Sequence, residues 1–439
     1  MAYTVGMISL GCNKNRVDSE TALGLLAEKG YRFTSQPEEA EILIVNTCGF
    51  IDSAKQESID TILEMAEYKK TGKCKLLIAT GCLTQRYGKD LTDEIPEIDL
   101  LMGVNQYAAL PDSIEKALRG QRLRLCQDDY EYYEHARILT TPGYSAYVRI
   151  GEGCSNRCTF CAIPMIRGPY RSRDERAILA EVEQLASGGV KEIILVAQDT
   201  TRYGTDQGGP SALPGLLKKV AAVDGIHWVR VLYCYPDETK EELLDTLAGV
   251  PEICPYLDIP IQHINGDLLH RMHRRGTRED ILRAVRGARS RNLTLRTSLI
   301  VGFPGETEDQ FRELLDFVEE TAFDRLGAFT YSPEEGTPAA RMPGQIPEEI
   351  KQERLSRLMT LQQRISLKRN QARIGTTEEM LVTDTNDRGL LLGRSRREAP
   401  ETDGEIIVRC PGPMPEPGRF VKIKITDAEV YDLKGEMAE

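Results

Sequence analysis

Gly153-Cys154-Ser155-Asn156-Arg157-Cys158-Thr159-Phe160-Cys161 contains the spacing C-x3-C-x2-C. Three thiolates this close can face one point from a single loop. Soft thiolates suit iron–sulfur clusters or zinc. A four-iron cluster normally takes four cysteines, so a set of three leaves one iron open to bind something else. The competing reading is a structural zinc site completed by a distant fourth ligand, and none stands nearby in the sequence.

Cys12, Cys48 and Cys82 form a second, dispersed set. Each stands just after an apolar β-type run: Ile8-Ser9-Leu10-Gly11-Cys12, Val45-Asn46-Thr47-Cys48 and Ala79-Thr80-Gly81-Cys82. A helical pattern follows each. In an open parallel sheet all strand C-termini lie along one edge, where ligands bind, so three thiols at three such ends can converge. Gly11 and Gly81 would let the backbone approach a bulky cluster closely. The alternative is three buried free cysteines. Cys74, Cys126, Cys234, Cys254 and Cys410 show no such pattern and read as packing or surface residues.

The elements that must position these thiols fall into three segments. Residues 3–119 alternate short β runs (Val5–Leu10, Ile42–Val45, Leu76–Ala79) with amphipathic stretches (Glu20–Lys29, Ser53–Tyr68). That rhythm predicts an α/β domain with an open parallel sheet. Residues 120–140 read as a linker, with the acidic, aromatic stretch Asp128–Glu134 either free or tied against a neighbouring domain.

Residues 141–371 repeat the rhythm six times, with strands at Tyr147–Ile150, Glu192–Ala197, Val229–Leu232, Leu257–Pro260, Thr297–Val301 and Leu326–Thr330. Six units are too few for the eight-unit closed barrel and predict an incomplete (βα)6 one. The three-cysteine loop follows its first strand, where catalytic groups of such folds collect. Residues 373–439 read as a small antiparallel β-barrel, with strands at Met380–Thr383, Leu390–Gly393, Glu405–Arg409 and Phe420–Ile425.

Of 439 residues, 41% are apolar and 28% charged, and no apolar run is long enough for a membrane span. The start, Met1-Ala2-Tyr3-Thr4-Val5-Gly6, lacks signal-peptide features, so the cytoplasm is the expected compartment. In a reducing compartment eleven cysteines point to metal or catalysis before disulfides. The formal net charge of −12 argues against wide contact with nucleic acid and matches a basic protein partner.

With its Ile163-Pro164 and six βα units, the loop motif resembles the radical S-adenosylmethionine superfamily. The whole chain resembles the methylthiotransferases within it: a three-cysteine N-terminal domain, a radical core and a C-terminal barrel called TRAM. The stretches that carry this are Ser9–Glu20, Ala197–Gly204, Tyr256–His263 and Gly393-Arg394-Ser395. The family usually has Pro after the first cysteine, and here it is Asn13. The resemblance implies two 4Fe-4S clusters, one on each cysteine set, and two uses of S-adenosyl-L-methionine, as methyl donor and as radical source. It is strongest to the branch that methylthiolates the β-carbon of an aspartate in small-subunit ribosomal protein S-twelve, free or in the assembling subunit. An electron donor such as flavodoxin is implied too.

The sister branch acts on adenosine in transfer RNA. Here residues 374–439 hold nine Lys or Arg against fourteen Asp or Glu, a poor RNA platform. That barrel is expected to dock the protein substrate and to be separable from the radical chemistry, although Arg394, Arg396 and Arg397 could form a local basic patch. A reading of another class is an electron-transfer or scaffold protein, which would need no substrate-sized cavity.

Phe160, Gln198, Asp199, Gln262, His263, Gly302 and Glu306 are the further candidates for contact with S-adenosylmethionine. All but Phe160 follow barrel strands, and support of the barrel rim is the alternative for each of those. His270 and His273, flanked by Arg271, Arg274 and Arg275, read as a solvated basic face.

Overall fold

The computed structural model describes residues 3–127, 134, 136–386 and 389–438. Most of the Asp128–Glu134 stretch therefore lies outside the described residues.

The N-terminal domain is a six-stranded parallel sheet of order β2-β1-β3-β4-β5-β6. Its strands are β1 (Thr4–Ser9), β2 (Arg32–Phe33), β3 (Ile42–Thr47), β4 (Leu76–Gly81), β5 (Leu100–Met102) and β6 (Leu123–Leu125). β3 and β4 are buried along their whole length, as parallel strands covered on both faces must be. Helices α1 (Asn13–Glu28), α2 (Asp52–Thr71) and α3 (Cys82–Glu94) follow β1, β3 and β4. α1 starts well before Glu20. Its first turns bury Lys14, Asn15, Asp18, Ser19 and Glu20, so no apolar periodicity marks them.

The central domain carries β7 (Ser145–Arg149), a short hairpin of β8 (Gly151–Glu152) and β9 (Arg171–Ser172), then β10 (Glu192–Val196), β11 (Trp228–Val231), β12 (Tyr256–Asp258), β13 (Thr294–Val301) and β14 (Arg325–Thr330). Six of these form two parallel three-stranded sheets, β11-β10-β7 and β12-β13-β14. The parallel bridge Val229–Ile253 lies at their junction. Helices alternate with the strands, and Thr277 and Thr307 open two of them with capping boxes.

The linker end ties down. The amide and hydroxyl of Thr140 both donate to Glu20 (2.7 and 2.9 Å), and Arg137 pairs with Glu20 at 2.7 Å.

The C-terminal barrel is closed, in the order β15-β16-β17-β19-β18. Its strands are β15 (Thr377–Asn386), β16 (Leu390–Ser395), β17 (Ile406–Arg409), β18 (Phe420–Ala428) and β19 (Leu433–Met437). It is not purely antiparallel, since β17 and β19 run parallel. β19 lacks an apolar alternation, so sequence patterning does not reveal it.

This small barrel fills the base of the incomplete one. Glu192, wholly buried at the start of β10, accepts hydrogen bonds from Arg394 (2.8 Å) and Arg230 (3.4 Å). The Tyr256 hydroxyl donates to Asp403 at 2.7 Å. Leu381 and Ala399 pack among Tyr147, Ile194, Trp228 and Tyr256, and Phe420 meets Trp228 edge-on at 4.8 Å. The arginines that could have formed a basic patch are engaged elsewhere: Arg394 is buried against Glu192, Arg396 donates to the carbonyls of Pro251 and Ile253, and Arg397 to the Thr294 hydroxyl. The barrel is thus a floor to the central domain. Among the described residues no helix is long and apolar enough to cross a membrane.

Candidate active site

Gly153, at φ +77°, turns the chain into the cysteine loop, where a Cβ would strike the carbonyls of Gly168 and Pro169. The loop is then stapled on three sides. Cys154 N donates to Gly168 O (3.0 Å), Thr159 N to Met272 O (3.0 Å), and Thr159 O accepts from Ala339 N (2.9 Å). Asn156 donates to Asp199 at 2.9 Å, and Thr201 donates to the other oxygen of that carboxylate at 2.6 Å.

Burial lifts the Cys154 thiol to about 11 and the Cys161 thiol higher still. A cation is needed to hold thiolates there. Arg274 is one: it stacks on Tyr235, 4.2 Å from the ring centre, and its Nη1 lies 3.6 Å from Cys158 Sγ. It belongs to this site, not to a solvated face as its neighbours suggested. Its position past the Gly266–Arg271 helix turns it inward, and that bend carries no sequence signal.

The dispersed set converges at three strand ends, with Cys12 exposed, Cys48 half-buried and Cys82 buried. Glycines make the convergence possible. A Cβ on Gly11 would lie 3.2 Å from Cys48 Sγ, and one on Gly49 would lie 2.8 Å from Leu83 Cα, beside Cys82. Gly81 presses on Asn46 and Thr47. Gly11 and Gly81 thus admit the neighbouring strand ends, whereas the sequence suggested room for a cluster. Burial pushes the Cys82 thiol to about 12 against the pull of Arg167, and Cys12 and Cys48 add to that rise.

A buried polar knot joins the two sites, and sequence patterning missed it. Arg167 Nη2 donates to Asp18 (2.8 Å), Asn15 Oδ1 (2.7 Å) and Cys82 Sγ (3.5 Å), while Nη1 reaches Glu152 (3.1 Å). Arg149 bridges Asp18 (2.6 Å) and Glu152 (2.5 Å). Burial opposes ionisation of Glu152, but Arg167 and Arg149 outweigh it and hold the carboxyl at about 2. These five polar residues form no sequence motif, because they come from three stretches of the chain far apart: Asn15 and Asp18, Arg149 and Glu152, and Arg167.

The other candidates scatter along the rim. Gln198 donates to Glu152 at 3.1 Å, and Asp199 supports the cysteine loop through Asn156. Glu306 accepts from the amides of Gly302 and Phe303, and burial raises its carboxyl to about 7. His263 Nδ1 accepts from Asn265 N at 3.0 Å, and burial lowers the ring to about 3, so it is neutral. Gln262 sits at φ +70° between β12 and β13, bonded through its backbone to Ser298 and Ile300. Phe160 packs with Phe303 and Tyr331.

Among the described residues no three His, Cys, Asp or Glu are arranged to hold a single metal ion. In a four-iron cluster each thiolate holds a different iron, so three thiolates can serve one without meeting at a single metal ion.

Three family models match in order: residues 4–103 an uncharacterized family, UPF0004; residues 148–318 the radical SAM superfamily; residues 374–438 the TRAM domain. The chain is 50% identical to the ribosomal protein uS12 methylthiotransferase RimO of Desulforamulus reducens, covering 99% of this chain and 100% of the relative. The protein of that name from Geobacter sulfurreducens is 48% identical, over 99% and 98%. The chain belongs to the RimO family. As a RimO-family protein it is a radical S-adenosylmethionine methylthiotransferase. Its fold is also that of the radical methyltransferase TsrM from Kitasatospora setae, at TM-score 0.58, 15% identity and 77% coverage of each chain. The cobalamin-dependent radical enzyme OxsB aligns at TM-score 0.52 and 13% identity, over 82% of this chain and 56% of that one.

Proposed function

We propose that this enzyme attaches a methylthio group to the β-carbon of an aspartate in ribosomal protein uS12. The full-length identity to RimO proteins supports this reading above all. Cys154, Cys158 and Cys161 would hold one four-iron cluster, and Cys12, Cys48 and Cys82 the other. When bound, the clusters and S-adenosylmethionine supply the sulfur-bound methyl group and the hydrogen-abstracting radical.

The chain's own residues do the rest. Arg274 and Arg167 set positive charge against each thiolate set, in surroundings dry enough for that charge to count. Asn156 and Asp199 fix the loop that presents the first triad. The knot of Asn15, Asp18, Arg149, Glu152 and Arg167 locks the second triad against the first, so that one carbon can lie near both reagents. Phe160 and Gln262, at the rim, are the candidates for contact with S-adenosylmethionine, and a flavodoxin-type protein is the proposed electron donor. Mass analysis of ribosomal proteins and transfer RNA from cells lacking the gene tests the reading. Loss of the methylthio mass from uS12 is expected. Intact uS12 with methylthioadenosine missing from transfer RNA would assign the chain to the sister reaction.

A further inference from the structure

Lys14 is only 7% exposed, yet among the described residues its ammonium makes no hydrogen bond or ion pair. Its neighbour is the Tyr233 ring, with Nζ 3.1 Å from the ring centre. Lys351, equally buried, instead bonds to the Tyr331 carbonyl at 2.9 Å and pairs with Glu348 at 3.2 Å. The Lys14 ammonium is not among the buried polar atoms without a partner, so it stays open to solvent at the end of a buried stem, and what that opening serves calls for an explanation.

Its place in the fold supplies one. Lys14 stands two residues after Cys12. Tyr233 stands two residues before Tyr235, whose hydroxyl is 3.9 Å from Cys158 Sγ. The contact of Lys14 with Tyr233 thus joins chain adjoining the strand-end triad to chain adjoining the loop triad. Tyr233 is held at φ +64°, a conformation bulky residues rarely adopt, with its amide on Asp258 at 2.8 Å. Asn13 donates to the Tyr233 hydroxyl at 3.4 Å, while its own Oδ1 is buried without a partner. The residue that departs from the family's usual Pro is therefore part of this grouping.

We propose that Lys14 receives the side-chain carboxylate of the substrate aspartate, flanked by Asn13 and Tyr233. The inference rests on the uS12 reading and deepens it. The carbon to be modified carries that carboxylate, which must come near both triads. An incoming carboxylate would exchange water at the ammonium for a charge-assisted hydrogen bond over the Tyr233 ring. An asparagine in the same position would leave the ammonium unpaired.

The test uses reconstituted holoenzyme with uS12 and with uS12 whose target aspartate is changed to asparagine. Wild-type enzyme is expected to prefer the aspartate protein by about tenfold in KM, or about 1.4 kcal/mol. Lys14→Gln should abolish that preference by raising KM for the aspartate protein, with a smaller change in kcat. Iron content and the electron paramagnetic resonance signals of both clusters should stay as in wild type. Lys14→Arg should keep the preference. A Lys14→Gln enzyme that still discriminates, or one that loses iron or shifts a cluster signal, overturns the proposal and makes Lys14 a counter-charge for the cluster. If Lys14→Gln does not fold, loss of preference in an iron-replete Lys14→Arg enzyme overturns it equally. A wild-type enzyme that leaves uS12 unmodified is a different result, and fails the uS12 reading itself.

Discussion

Cys154, Cys158 and Cys161 share one short loop, whereas Cys12, Cys48 and Cys82 come together only once β1, β3 and β4 are paired. The loop triad brings its own supports: Asn156 lies within the motif, and Arg274 comes from the same domain. The strand-end triad borrows. Its arginine, Arg167, belongs to the central domain, and its close approach depends on Gly11 and Gly49. A local motif can thus be nearly autonomous, while a dispersed one inherits the fate of every contact that assembles it.

The largest expected effect comes from removing the loop triad. Alanine at Cys154, Cys158 and Cys161 together should reduce iron from about eight atoms to about four, for two four-iron clusters. Any one of the three changes should abolish release of 5′-deoxyadenosine. Full iron content in the triple variant would break the comparison at its base. Next, Cys12→Ala, Cys48→Ala or Cys82→Ala should stop methylthio transfer while sparing some cleavage of S-adenosylmethionine. Equal loss of both activities would show that the loop triad is not autonomous.

Arg167→Met sharpens the point about borrowing. It leaves Asp18 and Glu152 short of a partner inside the protein, at a cost of about 3–5 kcal/mol in unfolding free energy. Iron should be lost from the strand-end site first. Gly49→Ala should be milder, about 1–3 kcal/mol for overpacking against Leu83, with the same site affected. If either variant depletes the loop triad instead, the asymmetry is wrong.

Acid denaturation tests the same buried knot by another route. Glu152 has a folded pKa of about 2 against an ordinary value of about 4.3. Its contribution is present above the ordinary value and is lost as pH falls from there toward 2. Up to about 1.4 kcal/mol goes with each unit in that window. Glu152→Gln should flatten this part of the stability curve, and an unchanged slope would place the loss elsewhere.

Much of this architecture is legible in the residues. Apolar runs mark β3 and β4 because parallel strands are buried on both faces. Both cysteine sets can be read, one from spacing and the other from its recurrence after strands. What escapes depends on pairing between distant segments. The start of α1 hides because its buried face is polar, and Arg274 hides because a bend turns it inward. The floor contact of Glu192 with Arg394 joins residues that only the finished fold brings together.

That floor bears on synthesis. A nascent chain exposes its N-terminal residues first, so the six-stranded core leaves the ribosome while its base still lacks Arg394, Asp403 and Phe420. Until those residues arrive, Glu192 and Arg230 face each other without their third partner, and the Trp228 edge meets water. Domains of large proteins generally mature in order of emergence, but here the middle one waits for the last. A chain cut short after residue 373 would keep all six candidate ligands and yet present an unsealed core to the cell's proteases.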